Sequence, residues 1–487
     1  MGLAFIPLYI KFLGIEAYGL IGLFALLQVW LSLLDMGMTP TLSREMARFS
    51  GGSHTAGSIR DLLRSIEIIA LVIAIFIACG IALCSDWLAS SWLKANGLPV
   101  DEVAKAFAIM GMVTALRFVE GVYRSSILGL QRQVLFNVVN SISATLRGFG
   151  AVVILGLVSP TIQAFFLWQG LISVITLAIL ARMTYTNLPR ADRAGRFSLD
   201  ALRKIWRFAG GMIGITFLSL LLTQVDKILL SKLLALSEYG YYTLAAVVAG
   251  AMYMLVSPIT QAWFPRLSQL HAGRDHAGLV RTYHQGAQLV SVVLGSAALM
   301  LIVFSETFLH LWTQDAALAH RTAPLLSLLT LGNLLNGLCW MPYQAQLAYG
   351  WTGLGMRINS VAVFIIVPAI LWVTPRYGAE GATWVWVSLN VGYLLIGIHF
   401  MHRQILRTEK WHWYRQDILQ PLLAASAMPL LIHWLLPTPT SVIPQIATLA
   451  LASVLTLTAA GLAAKQVRQQ ARTAITTFIA AIPIKSL

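Results

Sequence analysis

Charge is what this sequence has least of. Only 11% of its 487 residues are Asp, Glu, Lys or Arg, against about 25% in an average soluble domain. Hydrophobic residues make up 58%, and the mean hydropathy is +0.75. That balance excludes a soluble enzyme, a disordered chain and a nucleic-acid-binding domain. Cysteine is nearly absent: Cys79, Cys84 and Cys339 all sit inside apolar runs, which excludes a disulfide framework or a cysteine metal site. The sequence has no GxxxxGK[S/T] loop and therefore no ATP hydrolysis by that route. It has no HExxH motif, and its ten histidines are scattered, mainly near the ends of apolar runs. No metal and no cofactor is expected. The start also lacks the positive segment, apolar core and small-residue cleavage site of a signal peptide.

What the sequence has is a succession of long apolar runs with short polar breaks. Spans are predicted at roughly 17–40, 62–84, 103–127, 133–157, 161–183, 208–233, 240–264, 287–311, 322–347, 356–374, 380–401, 417–436 and 443–464. A transmembrane helix needs ~20 apolar residues. The opening run to Phe12 is about half of that and would be a fourteenth, incomplete span. Strands of a β-barrel would alternate over about ten residues, and these runs do not. The expected class is all-α: a polytopic integral membrane protein with about 14 transmembrane helices.

Orientation follows from the basic residues. If the connection 184–207 is cytoplasmic, the loops on its side hold 25 of the 34 Lys and Arg, and the opposite side holds seven. Arg117 and Arg147 lie within spans. This is the positive-inside bias of a cytoplasmic-membrane protein with a cytoplasmic C-terminus. The net charge of +15 is then a cytoplasmic excess and not a nucleic-acid footprint.

An internal repeat sets the domain organisation. Leu13–Leu20 (LGIEAYGL) lies on Leu234–Tyr241 (LALSEYGY) at an offset of 221. The same ungapped offset pairs Tyr18 with Tyr239, Gly19 with Gly240, Thr39 with Thr260, Gly57 with Gly278 and Arg60 with Arg281. Six helices separate the copies, so both run in the same direction, which implies two parallel lobes. The expected domains are an N-terminal lobe at 1–183, a basic cytoplasmic linker at 184–207, a C-terminal lobe at 208–401, two additional helices within 417–464, and a cytoplasmic tail at 465–487. Projected back by the offset, the helix beginning near Phe208 finds a partner shortened by about half its length. A misplaced start or a trimmed sequence is the expected cause, and a naturally short first helix is the alternative.

The motifs carry a resemblance. Tyr9–Arg48 reads YIKFLGIEAYGLIGLFALLQVWLSLLDMGMTPTLSREMAR, with an LG-x-E-x-YG turn, an LLD-x-G and a REMAR helix end. Leu128–Gln133 reads LGLQRQ, and Gln224–Ser231 reads QVDKILLS before Glu238-Tyr-Gly240. In order and spacing these resemble the polysaccharide-unit flippases of the multidrug/oligosaccharidyl-lipid/polysaccharide exporter superfamily, over most of residues 4–400. The departure is the missing half of the first helix. The resemblance implies two six-helix lobes, a central cavity, and export of lipid-linked sugar units by alternating access. It also implies a non-enzymatic protein of the cytoplasmic membrane. Its expected partners are a polyprenyl-pyrophosphate-linked oligosaccharide, the bilayer and other polysaccharide-assembly membrane proteins. Alternatives are a lipid II flippase, a cation-coupled drug antiporter, or a membrane glycan polymerase or ligase. The longest outer connection, 85–102, has 18 residues, which leaves little room for an external acceptor site.

Polar residues at helical spacing provide the candidate site. Gln28, Ser32, Asp35 and Thr39 form one stripe; Arg117, Glu120 and Arg124 a second; Asn140, Ser143 and Arg147 a third; Thr216, Ser219, Thr223 and Asp226 a fourth. Asn333, Asn336 and Trp340 share another face. An Arg or Asp at mid-membrane costs ~2.5–3.5 kcal/mol if it faces lipid, so these stripes should face the bundle interior or a wet cavity. Asp35 reads equally as a structural contact beside Gly37, Glu120 as a neutraliser of Arg117 or Arg124, and the asparagines as interhelical hydrogen-bond glue. An anionic sugar-bearing headgroup calls for fixed positive charge, supplied by Arg117 and Arg147. It also calls for amide and aromatic groups, for which Asn140, Asn333, Asn336 and Trp340 are candidates, with Trp168, Tyr343 and Gln344 as further sugar-facing groups. Asp226, next to Lys227, is a candidate for ion coupling, with a structural partnership as its alternative.

Overall fold

A computed structural model describes residues 2–35, 37–50, 55–188, 195–199, 203, 217, 220–221, 223–351, 353–435, 441–470 and 472–473. Those residues are almost entirely helical. Among them, the one β feature is an isolated bridge between Lys94 and Ala235. A backbone in hydrocarbon must satisfy its own N–H and C=O groups, and a helix does so within one segment. Among the described residues, eleven helical segments are long and apolar enough to cross a membrane, as expected of the polytopic class. Large apolar side chains such as Phe76, Leu83 and Phe364 point outward, where lipid rather than water is their solvent.

The chain divides into two compact units, Met1–Gly240 and Tyr241–Leu487. The first holds α1 (Gly2–Leu31), α2 (Met38–Ser50), α3 (Ala56–Trp87), α4 (Val100–Gly129), α5 (Gln133–Leu157), α6 (Ile162–Asn187) and the start of α7 (Leu236–Ala251). The second holds the rest of α7, then α8 (Tyr253–Ala272), α9 (His276–Val303), α10 (Ala316–Leu338), α11 (Gly353–Gly392), α12 (Gln420–Leu435) and α13 (Val442–Ala463). Hydroxyl and carboxylate side chains accept from the first free N–H groups of several helices. Thr55 accepts from the Ser58 amide, Thr161 from Ala164, Asp275 from Gly278 and Asp315 from Leu318, as N-caps do.

One predicted span meets a break, and a second break falls between two predicted spans. The span expected at 17–40 is interrupted: α1 ends at Leu31, a 3-10 turn covers Ser32–Asp35, and α2 begins at Met38. Asp35 caps this new helix, accepting from the Thr39 amide at 3.1 Å and from its hydroxyl at 2.8 Å. The stripe Gln28–Thr39 is therefore not one helical face, and Asp35 makes a structural contact. The second break separates the spans expected at 356–374 and 380–401. Gly353–Gln404 is 52 residues long, which at 1.5 Å per residue is ~78 Å, far beyond the ~30 Å hydrocarbon core. The chain folds back at Gly378, whose φ of 60° lies in the region glycine enters without steric cost. The first part of the span expected at 208–233, with Thr216 and Ser219, lies outside the described residues, as do most of 184–194 and the end of the tail.

The repeat has a physical counterpart inside the first unit. Gly19 and Gly240 are repeat partners, as are Ile15 and Leu236. A Cβ on Gly19 would stand 2.8 Å from the Leu236 carbonyl oxygen, and one on Gly240 would strike the Ile15 carbonyl oxygen. The two LG-x-E-x-YG-type turns thus pack on each other reciprocally, as an isologous contact does. Around them, Trp92 Nε1 donates to Ser231 Oγ at 3.2 Å and the Leu236 amide to the Lys94 carbonyl at 3.0 Å. These contacts explain why the compact first unit runs on to Gly240, well past 184–207.

Residues 195–199 of the basic connection lie on the start of α3. The Arg196 amide donates to Asp61 Oδ1 and the Ser198 amide to Ser65 Oγ, each at 2.8 Å. In the second unit, Val292 of α9 packs with Ala425, Ala460 and Ala464. Small residues let membrane helices approach closely, and here they dock the C-terminal pair α12 and α13.

Candidate functional site

Inside the first unit, α1, α4, α5 and α6 bring their polar residues to one place. Arg117 of α4 donates to Gln28 Oε1 of α1 at 3.0 Å and to Gln169 Oε1 of α6 at 2.8 Å. Its guanidinium also stands 5.0 Å from the centre of the Phe24 ring, within cation–π range. Arg147 of α5 pairs with Glu120 of α4 at 2.9 Å. Ser173 Oγ of α6 lies 3.4 Å from Arg117 Nε and 3.5 Å from Arg147 Nη2. Gln169 Nε2 donates to the Arg147 carbonyl at 3.2 Å.

Two guanidinium groups and one carboxylate leave this cluster with a net charge of +1. It is also short of acceptors. Gln28 Nε2 and Arg147 Nε are buried without a hydrogen-bond partner among the described residues. An unsatisfied buried donor costs ~1–3 kcal/mol, so the cluster favours an incoming acceptor, above all an anionic one. The side chains of Arg147 and Glu120 keep 18% and 15% exposure, so the cluster is reachable.

The sequence stripes sort differently once folded. Glu120, a helical neighbour of Arg117 and Arg124, makes its ion pair with Arg147 on the next helix. Ser143 is buried and accepts from Thr176 at 3.0 Å, while Asn140, further along the same face, is exposed. Gln169 and Ser173 escaped the stripe analysis; a Gln and a Ser four positions apart in α6 were the available signal. Trp168 donates to the Leu146 carbonyl at 2.9 Å and packs against Gly150, so its indole N–H is already engaged.

Asn333, Asn336 and Trp340 belong to the second unit and join helices. Trp386 Nε1 donates to Asn333 Oδ1 at 3.0 Å. Asn336 donates to Asn390 Oδ1 at 2.8 Å and accepts from the Tyr253 hydroxyl and from Trp340 Nε1, each at 3.2 Å. The Tyr253 and Trp340 rings stack at 4.8 Å. Their hydrogen-bonding capacity goes mostly to this glue. Asp226 lies 3.7 Å from the Lys227 ammonium, which also donates to the Thr223 carbonyl at 3.0 Å. Tyr343 is exposed and Gln344 half-buried.

The second unit holds two further features. A groove of about 760 Å³ runs between the two arms folded at Gly378, lined by apolar residues such as Val361, Ile365, Trp384 and Val385, with Arg357 and Phe400 at one end. A cluster of ionisable residues also forms near His284, where His284 Nδ1 meets Asp417 Oδ2 and Nε2 lies 3.1 Å from Glu409 Oε2. Burial opposes ionisation of Glu409, but the hydrogen bonds from Thr408 and His284 outweigh it and hold the carboxyl below its ordinary range.

A multi-pass helical membrane fold enclosing a buried, donor-rich basic cluster defines the class. Solved structures share the fold: an inward-facing multidrug resistance MATE family transporter of the MOP superfamily (TM-score 0.66, 14% identity, 84% of this chain and 94% of that one) and the lipid II flippase MurJ in an inward closed conformation (TM-score 0.67, 12% identity, 93% and 96%). Sequence relatives include the Shigella flexneri protein named "Putative O-antigen transporter", 20% identical over 375 residues (77% of this chain, 87% of the relative). The Rhizobium meliloti succinoglycan biosynthesis transport protein ExoT is 24% identical over 410 residues (79% and 76%). The MatE family matches residues 212–373. The polysaccharide biosynthesis protein family matches residues 1–271, and the chain belongs to that family.

Proposed function

We propose that this protein is a flippase that moves polyprenyl-pyrophosphate-linked oligosaccharide units across the cytoplasmic membrane by alternating access, for surface polysaccharide assembly. The observation that carries the reading is the basic cluster of Arg117 and Arg147 with its unpartnered donors, Gln28 Nε2 and Arg147 Nε. A pyrophosphate leaving the aqueous surface gives up hydration, and fixed guanidinium donors replace it in two-pronged fashion. The single carboxylate, Glu120, holds Arg147 in place without cancelling the site's positive charge. Within the second unit, the exposed Tyr343 and the apolar groove between the arms of α11, with Arg357 at its end, offer an aromatic surface and an apolar one.

The basic excess on one side supports a cytoplasmic location for 184–207, which joins the two six-helix repeats, and for the tail 465–487. Asp226, beside Lys227, is the proposed coupling residue. An exporter of cationic drugs would call for an acidic site, and the net positive cluster argues against it.

The test is translocation of lipid-linked repeat units by the full chain in a strain lacking its own flippase, with abundance measured in parallel. Arg117→Ala should stop export and leave lipid-linked units on the cytoplasmic leaflet, with near-normal protein in the membrane. Full export by a normally abundant Arg117→Ala protein would overturn the reading.

A further inference from the structure

The second unit gathers side chains that the sequence keeps far apart. His284 lies in the first turns of α9, while His412 and Asp417 lie on the helical segment that leads into α12. One donor atom from each of the three falls within 4.8 Å of the others. The His284 and His412 ring centres are 4.3 Å apart. His284 and Asp417 are buried and His412 is half-buried. We propose that His284, His412 and Asp417 form a binding site for a divalent transition metal of the zinc class, which fastens the C-terminal helices to α9.

The arrangement around the three residues is that of a metal site's outer layer. Metal-ligating histidines commonly give their second ring N–H to a carboxylate, which fixes the tautomer. Glu409 Oε2 lies 3.1 Å from His284 Nε2 and is itself held by the Thr408 hydroxyl at 2.8 Å. With the proton on Nε2, the Nδ1 lone pair faces Asp417 Oδ2, its close neighbour. Lone pair against carboxylate oxygen is repulsive unless a cation lies between them. A proton would serve for two donors; a third donor within reach of the same point, His412, is what a metal ion uses. The other oxygen of Asp417 is engaged, accepting from Gln288 Nε2 at 2.8 Å, which leaves Oδ2 for the metal. Gln288 in turn accepts from the Gln466 amide at 2.8 Å, so the site reaches the end of α13.

The donor set selects the ion. Calcium and magnesium want oxygen ligands throughout, whereas two imidazoles and one carboxylate suit zinc and its first-row neighbours. Donors on a tetrahedral zinc at about 2.1 Å stand about 3.4 Å apart, so metal entry draws His412 inward and spreads His284 Nδ1 and Asp417 Oδ2, which now meet directly.

The experiment uses the full chain in detergent, stripped with a chelator, equilibrated with zinc chloride and passed through gel filtration. Zinc is then counted by elemental analysis. One zinc per chain is expected. Asp417→Asn and His412→Ala should lower zinc to background. Glu409→Gln should weaken binding about 10–100-fold without abolishing it, and His320→Ala, at an exposed histidine elsewhere, should change nothing. Should Asp417→Asn elute as aggregate, the half-buried His412 variant carries the test, and cobalt bound to the unmodified chain should show the visible bands of a tetrahedral site. Zinc no higher in the unmodified chain than in His412→Ala, or full zinc retained by His412→Ala, would falsify the proposal.

Discussion

Glu120 and Arg147 belong to neighbouring helices, and a carboxylate oxygen of one stands 2.9 Å from a guanidinium nitrogen of the other. Breaking such a pair from either side leaves an uncompensated charge in a mostly buried place, at a cost near ~3 kcal/mol. Arg147→Ala should therefore lower abundance as well as export. The double variant Arg147→Ala with Glu120→Gln separates the two effects, because it removes the orphaned carboxylate charge. Abundance should return toward normal while export stays absent. If export recovers together with abundance, Arg147 serves structure alone.

The reciprocal approach of Gly19 and Gly240 to the Leu236 and Ile15 carbonyl oxygens leaves no room for a side chain. Gly19→Val and Gly240→Val should each destabilise the protein by ~1–3 kcal/mol through overpacking, read as a lower midpoint in thermal unfolding of the detergent-solubilised chain. Gly250→Val, where a Cβ meets nothing within 4 Å, is the control. Equal midpoints for all three would remove the close contact from the account.

Topology is open to a direct measurement. Cysteine placed at Ala194 or Gln470, in a chain with Cys79, Cys84 and Cys339 replaced, should resist an impermeant thiol reagent in intact cells and react once the membrane is opened. Ala194 lies outside the described residues. Reaction at either position from outside would reverse the orientation drawn from the basic residues.

Asp226→Asn keeps the size of the side chain and removes its charge. A coupling role predicts slower export at near-normal abundance, with the rate no longer following the ion gradient. Complementation at the full rate by the Asn form would leave Asp226 its contact with Lys227 and nothing more.

The sequence by itself determined the class and the run of apolar helices, and it displays the internal repeat and the one-sided spread of basic residues on which the proposed topology rests. Each of these is a local property. Hydropathy over ~20 residues reports a span regardless of its neighbours, and the return of LGIEAYGL as LALSEYGY can be read without knowing what it touches. Spacing also placed Arg117 and Arg147 among inward-facing polar stripes. Only the tertiary structure decided the partners. Glu120 makes its ion pair with Arg147 on the next helix, and Asp35 turned from a stripe member into the cap of α2. Asn333 and Asn336 spent their amides joining helices, and three residues on opposite sides of a long stretch of chain converged around His284. The i, i+3 and i, i+4 rules that make a helical face legible say nothing about which other helix that face will meet. In a bilayer that choice rests on close packing and a few interhelical hydrogen bonds, which exist only once the helices have assembled.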